Sequence, residues 1–409
     1  LARQWGLSGD VQEAQIHRLA EGRHPITGEA LVAHQTARAY LNEHGDRVKT
    51  MEHRAGWDGT FSAPKSVSLT ALVGGDVRVA EAHRASVRVA LDETERYVQA
   101  RIGRNHPAET TGKWVAASFQ HDSARPVDGY AAPQLHTHVV FFNVTERSTG
   151  ETRALQPQEL YKTQQYGTAI YRSELAARLT ALGYEIERGA SGQPEIRGYS
   201  SDYLEASSPR RQQIQDHLEK VQRSGAGAAQ IAAHQTREAK DDGSREQMQR
   251  RHQALAEAHG HQPTLVVQAA RDRVRRGEHR VPQVTARAAV TYARDRNFER
   301  EAVVDERLLV RDALRRSMGD VSVGAIKDEV AERVASGEFI GVEPRAGAPG
   351  HAFTTREMVA LERQTIDAMR AGQRTQPSLA SSVTRHAVQH ASPHLSEPQR
   401  AAVDRILAN

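Results

Sequence analysis

The run at residues 135–144, Leu-His-Thr-His-Val-Val-Phe-Phe-Asn-Val, constrains the fold of this chain more than any other segment. It is rich in β-branched and aromatic residues, a composition that predicts a strand. Successive side chains of a strand point to opposite faces, so His136 and His138 share one face and Thr137 points to the other. The apolar residues 139–142 indicate that the strand is buried. Two imidazoles on one face of such a strand are half of a metal site.

A third ligand must come from a neighbouring strand, and His121 is the candidate. It ends a predicted strand at residues 114–121, and the polar loop that follows is long enough to let the two strands pair. Three neutral imidazoles would then converge and leave open positions on the ion, as a metal that polarises a phosphate requires. The chain has 20 histidines and no cysteine, so a His-x-His pair can arise without a metal, and any metal must use His, Asp or Glu. On these residues alone the ion could be zinc, manganese, magnesium or iron.

A strand–turn–helix unit is predicted at residues 58–73, with Pro64 at the turn. Lys65 and Ser66 lie at the start of the helix, where free backbone N–H groups and a lysine can hold a phosphate. The alternative is an ordinary helix N-terminus with no ligand. The segment is not a Walker A loop, because the glycines of that motif are absent.

The composition sets outer limits. A length of 409 residues suggests two or three domains. The net charge is +4 and the pI about 9.3, a mild basicity that fits nucleic acid but equally fits a solvated charged surface. Neither a membrane span nor a signal peptide is recognisable, and the chain has no cysteine, which together indicate no membrane insertion and a soluble protein of a reducing compartment.

The rest of the chain is predicted to be mostly helical. Residues 158–182 have helical spacing and end at Gly183, and residues 184–188 and 194–197 form a hairpin. Residues 202–262 are polar and helical with a break at 224–227. A new helical unit opens at Pro282 with Thr285 as a helix cap, and a strand-like stretch lies at 339–342. Residues 371–393 have the composition of a linker, and a further helix starts near Leu395.

Several of these segments together resemble the MobF class of conjugative relaxases, which are HUH endonucleases. The resemblance rests on Asp-Gly-Thr-Phe-Ser-Ala-Pro-Lys-Ser-Val-Ser at 58–68, on His121, and on Pro-Gln-Leu-His-Thr-His at 133–138 followed by Asn143. It covers residues 1–200 well and 200–275 loosely. Later segments at 298–301, 353–355 and 395–403 resemble the region that leads into the RecD-like helicase of the same family.

The resemblance implies an α+β fold: a two-layer palm with a central antiparallel sheet and helices, a thumb-like helical arm, and then a mostly helical domain. It implies a relaxase domain at 1–275 with the arm at 202–262, a helical, winged-helix-like domain at 276–372, a linker at 373–394, and the start of a helicase domain at 395–409. Because no Walker A loop follows, no ATPase activity is expected.

The implied activity is nicking and rejoining of single-stranded DNA at an origin of transfer, by transesterification to a tyrosine. His121, His136 and His138 match the ligands of a divalent ion (Mg, Mn or Zn), and Asp58 matches the acid that orients a metal histidine or helps to activate the tyrosine. The implied partners are the origin strand with an adjacent hairpin, relaxosome proteins and a type IV secretion system. The implied location is the bacterial cytoplasm, with transfer to a recipient cell alongside the DNA. The candidate DNA contacts are Lys65, Ser66, Arg153, Lys162, Arg172, Arg188 and Arg197.

Two features depart from the family pattern. Its nucleophilic tyrosines lie upstream of the position that matches Leu1, so this chain is expected to lack the nucleophile. The loop between His121 and His136 is longer than expected and is predicted to bulge outward. Two alternatives therefore stand beside the relaxase: a non-catalytic DNA-binding fragment, and a metal hydrolase of small phosphoesters with no affinity for DNA.

Overall fold

A computed structural model describes residues 1–7, 9–33, 39–41, 47–49, 53–103, 105–236, 244–343, 347–372 and 378–408. The strands are β1 Ala39–Leu41, β2 Arg47–Lys49, β3 Gly56–Ser62, β4 Gln99–Ala100, β5 Glu109–Thr110, β6 Ala116–Ser123, β7 Pro133–Phe142, β8 Thr145–Glu146, β9 Thr152–Arg153, β10 Ile186–Arg188, β11 Pro194–Ile196, β12 Val304–Asp305, β13 Phe339–Val342 and β14 Ala352–Thr355.

The helices are α1 Glu13–Ala20, α2 Lys65–Leu72, α3 Val77–Glu95, α4 Gln158–Ala181, α5 Ser201–Ala206, α6 Pro209–Lys220, α7 Ala226–Gln235, α8 Arg245–Ala258, α9 Gln262–Arg275, α10 Ala286–Phe298, α11 Glu306–Ser317, α12 Val323–Ala335, α13 Arg356–Gly372, α14 Ser382–Ala391 and α15 Glu397–Ala408. The fold is α+β, as predicted. None of the helices in the described ranges combines the length and the apolar character that a bilayer crossing requires.

The central sheet is antiparallel, with β7 between β3 and β6. Helices α2, α3 and α4 cover one face of it. Phe61 of β3 packs edge-on against Tyr171 of α4, with ring centroids 5.4 Å apart, and Thr137 of β7 lies 2.8 Å from a ring nitrogen of His83 in α3. The sequence predicted that the strand carrying His121 pairs with the strand carrying His136, and the pairing of β6 with β7 confirms it.

On the opposite face of the sheet, the described residues form an apolar cluster at one end. A cluster built on Trp5, Leu7 and Leu19 packs against Phe142, with Ala117 and Val140 at its border. The N-terminal residues therefore close the end of this face that is remote from Ser62 and Pro133, and within the described part of the chain they leave the other end open.

Helix α4 ends as predicted. Gly183 has a φ of +89°, and a Cβ there would lie 2.3 Å from the carbonyl oxygen of Ala270. A side chain at this position would be excluded both by the backbone conformation and by the close approach of α9. The hairpin of β10 and β11 follows, with Ile186 opposite Ile196.

The predicted helical arm consists of α5 to α8, and residues 237–243 of it lie outside the described residues. Helices α6 and α7 are separated by residues 221–225, close to the predicted break, and Arg210 joins them by donating to the carbonyls of Ala233 at 2.6 Å and Thr236 at 2.7 Å. The arm has little apolar core of its own, since α6 buries no residue.

The chain divides into two compact units, and the division differs from the predicted boundaries. One unit is 1–332 with 342–352, and the other is 333–341 with 353–409. Residues 276–332 thus belong with the sheet, because α11 packs on α4 and Arg307 donates to the buried Glu159 at 2.7 Å. Thr285 caps α10 as predicted, through a bond from the Ala288 N–H.

In the second unit, the rings of Phe339 and Phe353 stack with centroids 5.9 Å apart, and the predicted strand at 339–342 is β13. The segment predicted to be a linker contains α14, because Ser381 caps a helical run by accepting from the Thr384 N–H. Residues 373–377 of that predicted linker lie outside the described residues.

Candidate metal centre

Strand β7 alternates strictly between its two faces. Leu135, Thr137 and Val139 are buried under the helices, with exposures of 0%, 3% and 0%. His136 and His138 point to the open face of the sheet, where both are only partly buried.

His121 joins them from the neighbouring strand. It lies directly opposite His136 in the antiparallel register, and a β-bulge follows it immediately. The three ring centroids are 5.2 Å (His121–His136), 5.4 Å (His121–His138) and 5.2 Å (His136–His138) apart. The three predicted ligands are therefore gathered into one triangle, called the histidine triad below.

Two of the rings are held by their Nδ1 atoms. Nδ1 of His136 lies 2.9 Å from the carbonyl oxygen of Gln134. Nδ1 of His138 lies 2.9 Å from Oδ2 of Asp58, and the hydroxyl of Thr60 is 3.2 Å away. An acceptor at Nδ1 keeps the proton on that nitrogen and leaves Nε2 with a lone pair for a ligand.

The electrostatics of the triad favour the neutral form of its central ring. Burial lowers the pKa of His136, and the neighbouring His138 and His121 lower it further, against the opposing effect of its bond to Gln134. A neutral imidazole is the form that binds a metal.

The distances between the ring centroids of the triad are close to those of imidazoles around one metal ion. With metal–nitrogen distances of about 2.1 Å, imidazoles around a tetrahedral ion have centroids about 5 Å apart. Across the described ranges, no group of three or more His, Asp or Glu side chains is placed so that it could hold a metal ion without rearrangement. The rings of His121 and His136 lie at an interplanar angle of 22°.

Asp58 contacts the triad from a third strand of the sheet. It lies on β3, across the sheet from β6, and with Thr60 and Ser62 it shares the face of His136 and His138. The sequence analysis did not identify Thr60 or the backbone carbonyl of Gln134 as partners of the triad histidines. The alternation of Asp58, Thr60 and Ser62 would have identified the hydroxyls if the pairing of β3 with β7 had been known.

The loop after His121 does not bulge freely outward, contrary to the prediction, because helix α8 covers it. Arg245 pairs with Asp122 at 3.0 Å, and Arg251 donates to the carbonyl of Gly129 at 2.8 Å. The guanidinium of Arg251 also lies 4.8 Å from the centre of the Tyr130 ring. The helical arm thus holds the loop that connects two members of the triad.

Of the predicted DNA contacts, Lys65 and Arg172 lie together in one cleft. The cleft has a volume of about 750 Å³ and lies between the Ser62 and Gln134 end of the sheet and helices α6 and α7. Arg210 and Arg211 of α6 also line it, and sequence reasoning missed both because nothing in the polar arm distinguishes its inner face. Burial lowers the pKa of Lys65 to about 8, while Glu195 opposes that shift.

Ser66 does not face this cleft. Its side chain is fully buried, its hydroxyl donates to Glu195, and its oxygen accepts from the N–H of Ile196 at 2.9 Å. In this arrangement Ser66 ties α2 to β11 and offers nothing to a phosphate, because burial and two partners occupy the hydroxyl.

The other four predicted contacts are dispersed and lie outside this cleft. Arg153 pairs with Glu151, Lys162 with the buried Glu159, and Arg197 with Glu187. Arg188 donates to the carbonyl of Arg315. The structure brings none of these four into the cleft that holds Lys65 and Arg172.

Comparisons with known proteins agree on a single family. A family model described as TrwC relaxase matches residues 1–259. The chain is similar to the multifunctional conjugation protein TraI of Escherichia coli, with 39% identity over 228 residues, and to TraI of strain K12, with 37% identity over 227 residues. Each match covers 53% of this chain and 12% of the relative, so the chain spans about an eighth of the length of these relatives.

Solved structures of the conjugative relaxase TrwC with oriT DNA are also similar. A copper-bound complex matches with a TM-score of 0.54 and 32% identity, covering 63% of this chain and 85% of that one. A metal-bound complex matches with a TM-score of 0.53 and 33% identity, covering 63% and 86%. Because the family model spans more than half of the residues, the chain belongs to the TrwC relaxase family.

Proposed function

We propose that this chain is the DNA-processing part of a conjugative relaxase, which nicks and rejoins a single strand at an origin of transfer with the help of a divalent metal. The observation that carries the proposal is the histidine triad on an open sheet face, with Asp58 behind one ring and a cationic cleft beside it. The similar TrwC structures are complexes with oriT DNA, some of them metal-bound, which supports the same assignment.

His121, His136 and His138 would hold the ion through their ring nitrogens. When bound, a divalent cation polarises a non-bridging oxygen of the scissile phosphate. Asp58 accepts from Nδ1 of His138 and so fixes the tautomer and the orientation of that ring. This geometry supports the orienting role of Asp58 over the alternative role of activating the nucleophile. The proposed ion is divalent (Mg, Mn or Zn), and three imidazoles suit zinc best of the three.

Lys65 and Arg172 are proposed to bind the phosphates of the strand that leads to the triad. Both line the cleft beside Gln134, and cations along a groove are the usual way in which single strands are held. Contacts from the other predicted residues would lie outside this cleft: Arg153, Lys162, Arg188 and Arg197. An adjacent DNA hairpin is proposed from the similar TrwC complex, which contains a recognition hairpin and the cleavage site.

The proposal extends to the nucleophile, the protein partners and the cellular location. The nucleophile is expected to be a tyrosine. Relaxosome proteins and a type IV secretion system are the expected protein partners. The expected location is the bacterial cytoplasm, from which a relaxase accompanies its DNA into the recipient.

The test is metal content together with DNA binding. We expect the intact chain to retain about one divalent ion per molecule by elemental analysis. His136→Ala should lose most of it, and the control His17→Ala, on the exposed face of α1, should not. Equal occupancy in His136→Ala and the control would refute the triad as a metal site.

The alternatives separate in two further measurements. Binding to a single-stranded oligonucleotide should weaken with salt, with a slope of about 0.7 per phosphate contact. A small-phosphoester hydrolase would show no such binding. With the natural segment upstream of Leu1 added back, a relaxase should form a covalent DNA–protein adduct on a denaturing gel, whereas no adduct would favour the non-catalytic DNA-binding fragment.

A further inference from the structure

Phe119 is an aromatic side chain that the proposed chemistry leaves unused. It lies on β6 two residues before His121 and directly opposite His138. By the alternation of a strand it shares the open face with both histidines. Directly opposed residues of an antiparallel pair have Cβ atoms about 5 Å apart, so its ring is a next neighbour of the triad.

Phe119 is the only one of the seven phenylalanines that is exposed, all seven being described. Its exposure is 38%, against 1% for Phe142, 1% for Phe339 and 6% for Phe353. Single exposed apolar residues are common and need no explanation by themselves. Phe119 differs through its position, because it occupies the gap between the triad and the apolar cluster at the covered end of the same face. Ala117 and Val140 already belong to the border of that cluster.

The chemistry of this gap points to one kind of ligand. Lys65 and Arg172 line the cleft beyond the other end of the triad, where charge is available for a backbone phosphate. A phenyl ring offers no charge and no hydrogen bond, but it offers a flat apolar face. A nucleobase is separated from its own phosphate by one sugar, so a phosphate at the triad places a base within reach of the neighbouring residue.

We propose that Phe119 is a stacking platform for an unpaired nucleobase next to the phosphate held at the histidine triad. The inference rests on the proposed function, since it takes a single DNA strand as the ligand. Stacking on an aromatic ring is tolerant of sequence, because every base has a π-face. Phe119 would therefore fix the position of the strand along the sheet, while recognition of a particular origin sequence comes from other contacts.

The test uses the intact chain and strands that require no knowledge of the origin: oligo(dA) and an abasic deoxyribose-phosphate strand of the same length. Phe119→Ala should weaken binding of oligo(dA) by about 5- to 100-fold in fluorescence anisotropy and leave the abasic strand unchanged. Phe119→Trp should bind oligo(dA) at least as well as the intact chain. Tyr292→Ala removes an aromatic ring of similar exposure, 42%, on α10 and serves as the control with no change.

Three outcomes overturn the inference. An equal loss on both strands would mean that Phe119 supports the fold of the site. Unchanged binding of oligo(dA) by Phe119→Ala would mean that no base stacks there. If the intact chain bound neither strand, the proposed function would fail and this inference with it. Metal content of Phe119→Ala, expected to equal that of the intact chain, separates a disturbed triad from a lost stacking contact.

Discussion

Strand β7 has one face buried under helices and one open face, and the hydrogen-bond partners of its polar side chains differ between the two. On the helical side, Thr137 is buried, and its hydroxyl lies 2.8 Å from Nε2 of His83, whose Nδ1 lies 2.8 Å from the hydroxyl of Tyr171. On the open side, the Nδ1 atoms of His136 and His138 have partners, and no hydrogen bond reaches their Nε2 atoms from the described residues.

The comparison separates a structural histidine from candidate ligands. Both nitrogens of His83 have protein partners, which is what burial demands. A histidine that uses one nitrogen and turns the other to an open face is arranged to receive something from outside. The same strand therefore stabilises the fold with one face and offers a site with the other.

The largest effect expected from this contrast is on stability. Leu135 is fully buried, and its N–H is bound by the hydroxyl of Ser68. Leu135→Ala should lower the free energy of unfolding by about 2–5 kcal/mol, because it leaves a cavity under the helices. His138 lies three residues further along β7, on the open face. Without metal, His138→Ala should change the free energy of unfolding by about 0.5 kcal/mol or less. Urea unfolding of both variants in the presence of a chelator measures the difference, and equal losses would contradict the division into two faces.

A second contrast concerns pH. Burial lowers the pKa of His83 to about 4, and the nearby His136 and Arg84 lower it further. In the unfolded chain the imidazole has a pKa near 6.5. Between pH 6.5 and 4, the unfolded state therefore binds a proton at His83 that the folded state does not bind. The contribution of His83 to the free energy of unfolding is then fully present above about pH 6.5, and the free energy of unfolding falls by about 3 kcal/mol by pH 4.

The matched variant for this pH effect is His83→Gln, which removes the titrating group and keeps a side chain that can form hydrogen bonds. The difference in unfolding free energy between the intact chain and His83→Gln should shrink as the pH falls from 6.5 to 4. A difference that stayed constant over this range would show that His83 does not carry the linkage.

The smallest of the three effects concerns the open face. Asp58→Asn keeps the size of the side chain and removes the charge that supports His138. Affinity for a divalent ion should fall by about 10- to 100-fold, measured by competition with a chromophoric chelator. The matched control is Asp122→Asn, whose carboxylate pairs with Arg245 and follows His121 in the chain. A larger loss in the control than in Asp58→Asn would mean that the loop and not the Asp58–His138 pair governs the site.

The parts of the fold that sequence predicted are those governed by local rules. The alternation of residues 135–142 gave the two faces of β7, Gly183 gave the end of α4, and Thr285 gave a helix cap. Each depends on the geometry of a few consecutive residues. The grouping of His121 with His136 needed one further step, the pairing of two strands joined by a single loop.

The parts that sequence did not predict depend on residues far apart in the chain. Ser66 was expected to face a phosphate, yet its partners Glu195 and Ile196 bury it. Arg210 lines the cleft, but it belongs to an arm that is uniformly polar in the sequence. The loop after His121 was expected to bulge freely, but α8, more than 100 residues later, holds it.

The sequence by itself determined the family, the strand that carries two of the histidines, and the residue types that can bind a metal without cysteine. These follow from composition and from the two-residue period of a strand. Only the tertiary structure decided which face of the sheet stays open, which nitrogen of each ring is already occupied, and which cations share the cleft. Those features arise from packing between segments that are distant in sequence, where no local pattern records which groups will meet.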